Sequence, residues 1–293
     1  MTAEPAAVVW AYWENHRRAR RSEYLDLCVE TIARHVAPLE LRVLSRHDAI
    51  TWLPDLDVER WESLPMPNFR SDYVRSRLLQ RYGGIWIDVD TVALSPLSQL
   101  LDELDDTGMV CFGKELGRFF GGLCAAAPGT AFVDAWVEGQ DAALSRRSDW
   151  ADLPYAALAQ DVTWELARRL PWKALPMERV APVPWYEWRR FFSRLESPRR
   201  LLPASPITVV LWNVVMGPIL RDQTRTELLA GRVLLSRLLR MGLGHSTAEK
   251  EEDGWTRLYG LSALRFSLPG QRLESTFRRG VRAQRRPSPV TGR

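Results

Sequence analysis

The pattern of apolar and polar positions predicts alternating strands and helices. Short apolar or alternating runs predict strands at residues 6–13, 39–45, 85–87, 109–112, 118–127 and 207–211. Apolar positions at helical spacing predict helices at residues 23–36, 68–82, 130–145, 154–169, 185–195, 212–220 and 226–241. The opening strand–helix–strand order is typical of a parallel sheet with right-handed crossovers. We therefore expect an α/β fold with a helical C-terminal part.

One predicted helix, at residues 68–82, carries charge on its apolar stripe. Arg70 and Arg77 fall on the side that we expect to face water, whereas Arg75 lies within the apolar sector. Asp72 stands one turn before Arg75, at the i,i+3 spacing at which side chains meet. A charge on a buried stripe is costly unless it is paired. The two residues therefore form either a structural ion pair or part of a ligand site.

Two aspartates follow a short buried strand. Gly83 and Gly84 end the helix, and the apolar run at residues 85–87 leads directly into Asp88 and Asp90. Residues two apart on an extended chain share a face, so both carboxylates can point at one spot. Two carboxylates that close either share a proton or bind a cation. Oxygen ligands at a strand end suit Mg²⁺ or Mn²⁺, with diphosphate oxygens completing the coordination.

A pair of aspartates two residues apart is weak evidence by itself. Asp55 and Asp57 have the same spacing, but they follow a proline in a polar loop without a buried strand before them. Ligands in open α/β sheets collect at the carboxyl ends of strands. This rule favours Asp88 and Asp90 as the functional pair.

The segment at residues 71–90 also carries a family resemblance. Its pattern, S-D-x-x-R followed by L-L-x-x-Y-G-G-I-W-x-D-x-D, resembles the donor-binding segment of DXD-containing glycosyltransferases with the GT-A fold. Within that group the chain is most similar to the capsular polysaccharide synthesis family, whose relatives include retaining mannosyltransferases and clostridial glucosylating toxins. Weaker similarity runs from Val8 to about Gly244. The resemblance implies a GT-A-like, mainly parallel sheet flanked by helices, in a glycosyltransferase domain at residues 1–244.

The resemblance also implies roles for the residues of this segment. Asp90 would bind a divalent metal directly, and Asp88 would contact the metal through water or the ribose of the donor. Asp72 and Arg75 would hold hydroxyls of the donor sugar. The chemistry agrees with these roles, because a cation on the diphosphate neutralises the charge of the leaving group.

Trp13, at the end of the first predicted strand, is a candidate for stacking on the nucleotide base. In related toxins a tryptophan at the matching place stacks on uracil, and stacking of this kind stabilises binding by about 1–3 kcal/mol per base. The family usually has glycine and proline next, whereas Glu14, Asn15 and His16 follow here. The loop can therefore close differently, and packing alone is the other interpretation of Trp13.

His245 is a candidate third metal ligand or phosphate donor. Metal-dependent GT-A enzymes often complete their site with a histidine from a C-terminal segment, although a loop histidine without such a role fits the sequence equally well. We expect residues 245–269 to form a lid over the donor. Residues 270–293 are basic, and we expect them to be disordered.

Two further features concern the acceptor. Gly121 and Gly122 occupy the place where the family holds an asparagine that faces the sugar and the acceptor, and they indicate either close approach of the backbone to a ligand or a tight bend. A cluster of aromatic residues indicates either core packing or a platform for an acceptor sugar. It consists of Trp185, Tyr186, Trp188, Phe191 and Phe192.

Composition narrows the classes of protein. The 293 residues are 46% hydrophobic, which suffices for a sizeable core. Three cysteines in apolar surroundings fit a reducing compartment, and neither a signal sequence nor a run of about 20 apolar residues is evident. The net charge of +4 is concentrated at the C-terminus, which indicates a solvated tail or peripheral contact with anionic lipid or glycan. We expect no binding to nucleic acid and a cytoplasmic location, with any membrane contact at the inner face.

Together these features favour a metal-dependent hexosyltransferase of the retaining type, using Mn²⁺ or Mg²⁺. It would move a sugar from a nucleotide-diphosphate sugar, with a UDP-sugar favoured, to a hydroxyl of a glycan or lipid-linked acceptor in bacterial capsular or surface polysaccharide synthesis. The sequence identifies no catalytic base. The alternative is a non-catalytic glycan-binding or assembly subunit that keeps the fold. A nucleotidyltransferase is disfavoured because no glycine-rich basic loop follows the first strand.

Overall fold

The computed structural model describes residues 7–15, 21–146, 150–151 and 153–245. The predicted tail, and the predicted lid apart from its first residue, lie outside the described residues. Within the described ranges, no helix combines the length and hydropathy needed to span a membrane.

Eight strands build the two sheets of the described chain. They are β1 (Val8–Tyr12), β2 (Glu40–Leu44), β3 (Gly84–Ile87), β4 (Thr91–Ala93), β5 (Met109–Phe112), β6 (Phe120–Ala126), β7 (Lys173–Leu175) and β8 (Thr208–Val210). Six of them form the central sheet in the order β2–β1–β3–β6–β5–β7, and β4 pairs with β8 in a second, antiparallel sheet. The pairs β1/β2, β1/β3 and β5/β7 are parallel, whereas β6 runs antiparallel to both its neighbours. The expected α/β fold with a mainly parallel sheet is confirmed.

Helices flank the sheet and form much of the C-terminal part. They are α1 (Glu23–His35), α2 (Arg46–Trp52), α3 (Val58–Glu62), α4 (Pro67–Tyr82), α5 (Gln99–Asp102), α6 (Ala131–Ser145), α7 (Gln160–Arg169), α8 (Met177–Val180), α9 (Pro198–Leu201), α10 (Asn213–Leu220), α11 (Arg225–Ala230) and α12 (Leu234–Gly242). In the described ranges, 3₁₀ helices span Lys114–Leu116 and Trp185–Phe192.

Three predicted helices differ from the structure. The helix predicted at residues 226–241 is divided into α11 and α12, because the chain at Gly231 is extended, with φ −66° and ψ 155°. The helix predicted at 154–169 begins only at Gln160, after a series of turns. The segment at 185–195 is a 3₁₀ helix that ends at Phe192. These changes occur where the chain makes turns between short elements, which apolar spacing alone does not reveal.

The prediction that Arg70 and Arg77 face water is wrong. The side chains of both are only 12% exposed. Arg70 Nε donates to both carboxylate oxygens of Glu14, at 2.9 and 3.1 Å. Arg77 donates to Asp141 at 2.6 Å. Glu14, just after β1, and Asp141 on helix α6 therefore cover these two positions of α4.

Gln140, on α6, joins α4 to the segment before α7. It is fully buried. Its amide nitrogen donates to the carbonyl oxygens of Asp72, at 2.9 Å, and Leu158, at 2.7 Å. Its amide oxygen accepts from Ser76 Oγ at 2.6 Å and from Arg77 Nη1 at 3.0 Å. Since a buried polar group is costly when unpaired, these four bonds fix α4 against α6.

We predict that Gln140→Ala destabilises the folded protein by about 3 kcal/mol, because it leaves several buried donors and acceptors without partners. The midpoint of urea unfolding, compared with that of wild type, measures the loss. The control is Glu138→Ala, an exposed position of the same helix, which we expect to unfold near the wild-type midpoint. Equal midpoints for Gln140→Ala and Glu138→Ala would contradict the role given to Gln140.

Candidate active site

The candidate site lies where the chain leaves the central sheet and enters the small one. Asp88 directly follows β3, and its backbone nitrogen donates to the carbonyl of Gly122 on β6 at 2.7 Å. Asp90 directly precedes β4, and its carbonyl accepts from Leu211, just after β8, at 2.8 Å. Both backbone positions are therefore fixed by neighbouring strands. The carboxyl ends of the parallel strands β1, β2 and β3 meet at this edge, as expected for a ligand site.

Arg75 connects α4 to the end of β3. Its Nη2 atom lies 2.8 Å from Asp88 Oδ1 and 3.3 Å from Asp72 Oδ1. Its guanidinium carbon lies 5.0 Å from the ring centroid of Trp86, whose indole nitrogen also donates to Asp88 Oδ1 at 2.8 Å. Arg75 is 5% exposed and Asp72 7% exposed. The structure thus brings Asp72 and Arg75 to the aspartates of the strand end.

The site carries more negative than positive charge. Burial raises the pKa of Asp72 to about 7, although the Arg75 guanidinium opposes the shift. Burial and then the charge of Asp88 raise the pKa of Asp90 to about 6, while a hydrogen bond from the backbone nitrogen of Asn213, at 2.6 Å, opposes it. The carboxylates of Asp72, Asp88 and Asp90 lie around the guanidinium of Arg75. When all three are ionised, the negative charge of this group exceeds its positive charge.

The site requires the glycine pair of β6. A Cβ atom at Gly121 would lie 2.7 Å from Arg75 Nη1 and 2.9 Å from the ring of Trp136. A Cβ atom at Gly122 would lie 2.6 Å from Asp88 Oδ2. Both glycines lie inside β6, at an irregularity in its pairing with β5, where Cys111 pairs with Cys124 but Phe112 with Phe120. The groups that the backbone approaches closely here are the charged side chains of the site, and approach to a ligand stays a prediction.

Comparison with known proteins identifies the family. A model of the family described as capsular polysaccharide synthesis protein matches residues 2–118. Lactosylceramide 4-alpha-galactosyltransferase of Pongo pygmaeus is 30% identical over 190 residues, which are 60% of this chain and 81% of that protein. The chain belongs to the family of glycosyltransferases that includes this relative. The matched residues 2–118 include the four charged residues of the site.

The share of the relative that is matched differs among the other proteins compared. The human lactosylceramide 4-alpha-galactosyltransferase is 30% identical over 190 residues, 60% of this chain and 50% of that protein. The chain therefore spans about half the length of this relative. Among solved structures, the galactosyltransferase LgtC in complex with donor and acceptor sugar analogues has a TM-score of 0.45 at 12% identity, covering 85% of this chain and 98% of that chain. PaToxG glycosyltransferase has a TM-score of 0.40 at 13% identity, covering 82% and 87%.

Several residues of the site escape the sequence analysis. Asn213, 123 residues away from Asp90 in sequence, begins α10 and accepts a hydrogen bond from the Tyr24 hydroxyl on α1. Trp212 before it has φ +57°, a left-handed conformation rare for a bulky residue. Tyr155 lies near the carboxylates, since burial and then the charges of Asp72, Asp90 and Asp88 raise its pKa. No local pattern could reveal these contacts between distant segments.

Trp13 lies at the carboxyl end of β1 and is half-buried. Its backbone nitrogen donates to the carbonyl of Leu44 at the end of β2, at 2.9 Å, and its indole nitrogen donates to Asn15 Oδ1 at 3.0 Å. Glu14, which stands where the family usually has glycine, binds Arg70 and accepts from the Tyr12 hydroxyl at 2.8 Å. This loop is therefore closed by an ion pair, and base stacking by Trp13 stays a prediction.

His245 is exposed and lies next to α1 rather than within the network just described. Its backbone nitrogen donates to the carbonyl of Arg240 at 2.9 Å. The pKa of Glu30 on α1 is lowered mainly by Arg225 and, to a smaller extent, by His245. In the described part of the chain, no three His, Cys, Asp or Glu side chains are grouped to hold a metal ion. The ligand roles of Asp88, Asp90 and His245 therefore all stay predictions.

We predict that Asp72→Asn leaves the free energy of unfolding unchanged or raises it at pH 8. Because the pKa of Asp72 is raised from 3.8 to about 7, the folded protein holds this proton over an interval in which the unfolded chain has released it. Ionisation of Asp72 therefore costs stability as the pH rises from about 4 through about 7. The advantage of Asp72→Asn should appear above pH 7 and vanish near pH 4 in urea unfolding.

The matched control is Asp141→Asn, another replacement of a carboxylate that binds a buried arginine. Asp141 also accepts from the Tyr73 hydroxyl at 3.0 Å, so we expect Asp141→Asn to destabilise the protein by about 1–2 kcal/mol. A comparable loss in Asp72→Asn would show that Asp72 and Arg75 form an ordinary structural ion pair.

Proposed function

We propose that this chain is a metal-dependent glycosyltransferase of the hexosyltransferase type. It moves a sugar from a nucleotide-diphosphate sugar, with a UDP-sugar favoured, to a hydroxyl of a glycan or lipid-linked acceptor. The observation that carries the proposal is the group of three carboxylates and one guanidinium at the carboxyl edge of the sheet, in a member of a glycosyltransferase family. Carboxylates with raised pKa values, grouped at the carboxyl edge of a sheet, are typical of functional sites.

The donor set of the site fits a divalent cation. Asp88 and Asp90 supply oxygen ligands two residues apart, and the excess negative charge there favours a cation over a further anion. Mg²⁺ and Mn²⁺ are commonly held by one or two carboxylates together with substrate phosphates, so two protein ligands suffice. When bound, such a cation acts as a Lewis acid that neutralises the diphosphate leaving group.

The remaining residues position the donor. Arg75 binds Asp88 and Asp72 at once, so its guanidinium fixes both carboxylates relative to each other. We assign Asp72 and Arg75 to hydroxyls of the donor sugar, and Trp13 to the base. Asn213 orients Asp90 through its backbone N–H. Burial and then the charges of the three aspartates raise the pKa of Tyr155, and we assign this residue to closing the site around the sugar.

We further propose that transfer proceeds with retention of the anomeric configuration and serves bacterial capsular or surface polysaccharide synthesis. The family description, capsular polysaccharide synthesis protein, supports the second point. We place the protein in the cytoplasm. Peripheral contact with the inner face of the membrane would fall to the basic residues 270–293, which lie outside the described residues.

We predict that Asp90→Ala abolishes metal-dependent donor binding without unfolding the protein, because the substitution removes the carboxylate that binds the cation. Calorimetric titrations with UDP and with a panel of UDP- and GDP-sugars, with and without Mn²⁺, measure the effect. The control is Asp55→Asn in the other D-x-D sequence, whose Asp55 side chain is 75% exposed. This control should bind the donor as wild type does.

Two results would contradict this assignment. Metal-dependent donor binding by Asp90→Ala would show that the cation lies elsewhere. Failure of the folded wild type to bind any nucleotide sugar would instead favour the non-catalytic glycan-binding or assembly subunit.

We also predict that Gly122→Ala weakens donor binding at least tenfold, a loss of about 1.4 kcal/mol. The added methyl group would displace Asp88, since its Cβ would lie 2.6 Å from Asp88 Oδ2. The control is Gly129→Ala, whose Cβ would meet no atom within 4 Å but whose φ of +64° strains the backbone. We expect Gly129→Ala to lower stability while keeping donor affinity. Unchanged affinity in Gly122→Ala would mean that Asp88 has no fixed position in the donor complex.

A further inference from the structure

A cavity of about 470 Å³ lies against the loop between β5 and β6, apart from the aspartates. Its lining includes Lys114, Gly117, Arg118, Trp164, Arg168 and Trp172. Small-molecule sites commonly have volumes of roughly 300–1,000 Å³. The cavity is thus large enough for a sugar unit, and none of the roles assigned above uses it.

Two tryptophan rings give the cavity an aromatic wall. The indole nitrogen of Trp172 donates to the carbonyl of Ala167 at 3.0 Å, and Phe119 packs edge-on against this ring with centroids 5.4 Å apart. Residue 117 is glycine with φ +62°, and a Cβ there would lie 3.4 Å from the ring of Trp164. No side chain at residue 117 covers Trp164, and the guanidinium carbon of Arg168 lies 5.7 Å from the centroid of its ring. A ring held by a hydrogen bond and by packing is a surface on which the C–H face of a pyranose can lie.

The charged side chains of the lining are all cationic. Among the residues that the structure describes, Lys114, Arg118 and Arg168 line the cavity and no carboxylate does. The nearby acids are Asp161, whose pKa the charge of Arg118 lowers against the larger effect of burial, and Glu165. Glu165 Oε1 lies 3.6 Å from Arg168 Nη1, but these side chains are 65% and 66% exposed. Such an exposed pair contributes little, so Arg168 can bind an anion in its place.

The cavity is joined to the neighbourhood of the aspartates by the short segment of chain that runs from Arg118 into β6. Arg118 precedes Gly122 by four residues, a span of at most about 14 Å for an extended chain. Gly122 in turn contacts Asp88 through its carbonyl and its open Cα. An acceptor that uses both places must therefore be a glycan of a few sugar units, long enough to span this connection.

We propose that this cavity binds a uronic acid, or another sugar that carries an anionic group, in the acceptor glycan. The proposal rests on the glycosyltransferase function proposed above and names the chemical class of its acceptor. The tryptophans would pack against the ring, and Arg118, Lys114 and Arg168 would pair with the anionic group through charge-assisted hydrogen bonds. A concave aromatic cavity suits a single sugar better than the flat surface of a membrane.

The test compares two ligands that differ only in charge. The first is a tetrasaccharide of alternating glucuronic acid and N-acetylglucosamine, and the second is its carboxyl-reduced form, in which glucose replaces each uronic acid. We expect wild type to bind the first at least tenfold more tightly at low salt, with the difference shrinking as salt rises. The variant Arg168→Gln should weaken binding of the charged tetrasaccharide about tenfold, as expected for the loss of one charge-assisted hydrogen bond.

The matched control is Arg169→Gln, which removes the same charge from the neighbouring exposed position of α7. Arg169 does not line the cavity, and this variant should bind like wild type. Equal loss in both variants, or equal affinity of wild type for the two tetrasaccharides, would overturn the proposal. So would the absence of binding by wild type. Binding of phosphatidylglycerol vesicles that is lost in Arg168→Gln but not in Arg169→Gln would assign the cavity to a lipid headgroup instead.

The titration contains neither nucleotide sugar nor metal ion. Its outcome is therefore separate from the donor titrations. A protein that binds the donor but not the charged tetrasaccharide would lose this acceptor class and keep its function. A protein that binds the tetrasaccharide but no donor would be a glycan-binding subunit.

Discussion

The buried guanidinium of Arg75 is the interaction on which the site depends. A charge in the apolar stripe of a helix is stable only if it is paired. Arg75 is paired twice, with Asp72 one turn earlier on its own helix and with Asp88 at the end of β3. The ring of Trp86 covers the guanidinium and donates to the same oxygen of Asp88. One cation thus links α4 to the strand end and fixes Asp72 and Asp88 relative to each other.

The second constraint is the junction of the two sheets. The chain passes from β3 to β4 within three residues, and the two aspartates occupy that passage. Asp88 is bonded through its backbone to β6 of the central sheet, whereas Asp90 is bonded to the chain that follows β8. Each carboxylate therefore belongs to a different sheet. Their separation is set by the packing of the sheets rather than by the flexibility of a loop, which is the kind of rigid support that a metal site needs.

Local sequence patterns could predict the part of this arrangement that lies in one continuous segment of the chain. The apolar spacing of α4, the glycine turn and the short buried run of β3 are all properties of one continuous segment, so Asp72, Arg75, Asp88 and Asp90 could be grouped from sequence. Arg70 and Arg77 show where that reasoning ends, because the elements that cover them, the loop after β1 and helix α6, are distant in sequence. Asn213 and Tyr155 could not be found for the same reason: each reaches the site only through tertiary packing.

The sign of the charge differs between the aspartates beside β6 and the cavity at the loop between β5 and β6. A diphosphate beside Asp88 and Asp90 would meet like charge, so the proposed donor would bind there together with a cation. The cavity beside Arg118 has cationic lining and attracts anions without a metal. Binding of the metal and binding of the donor at the aspartates would therefore depend on each other. An anionic acceptor could bind at the cavity independently of both. Gly121 and Gly122 let β6 pass directly against Arg75 and Asp88, and Arg118 of the cavity lies only a few residues before them, so one short segment joins the two places.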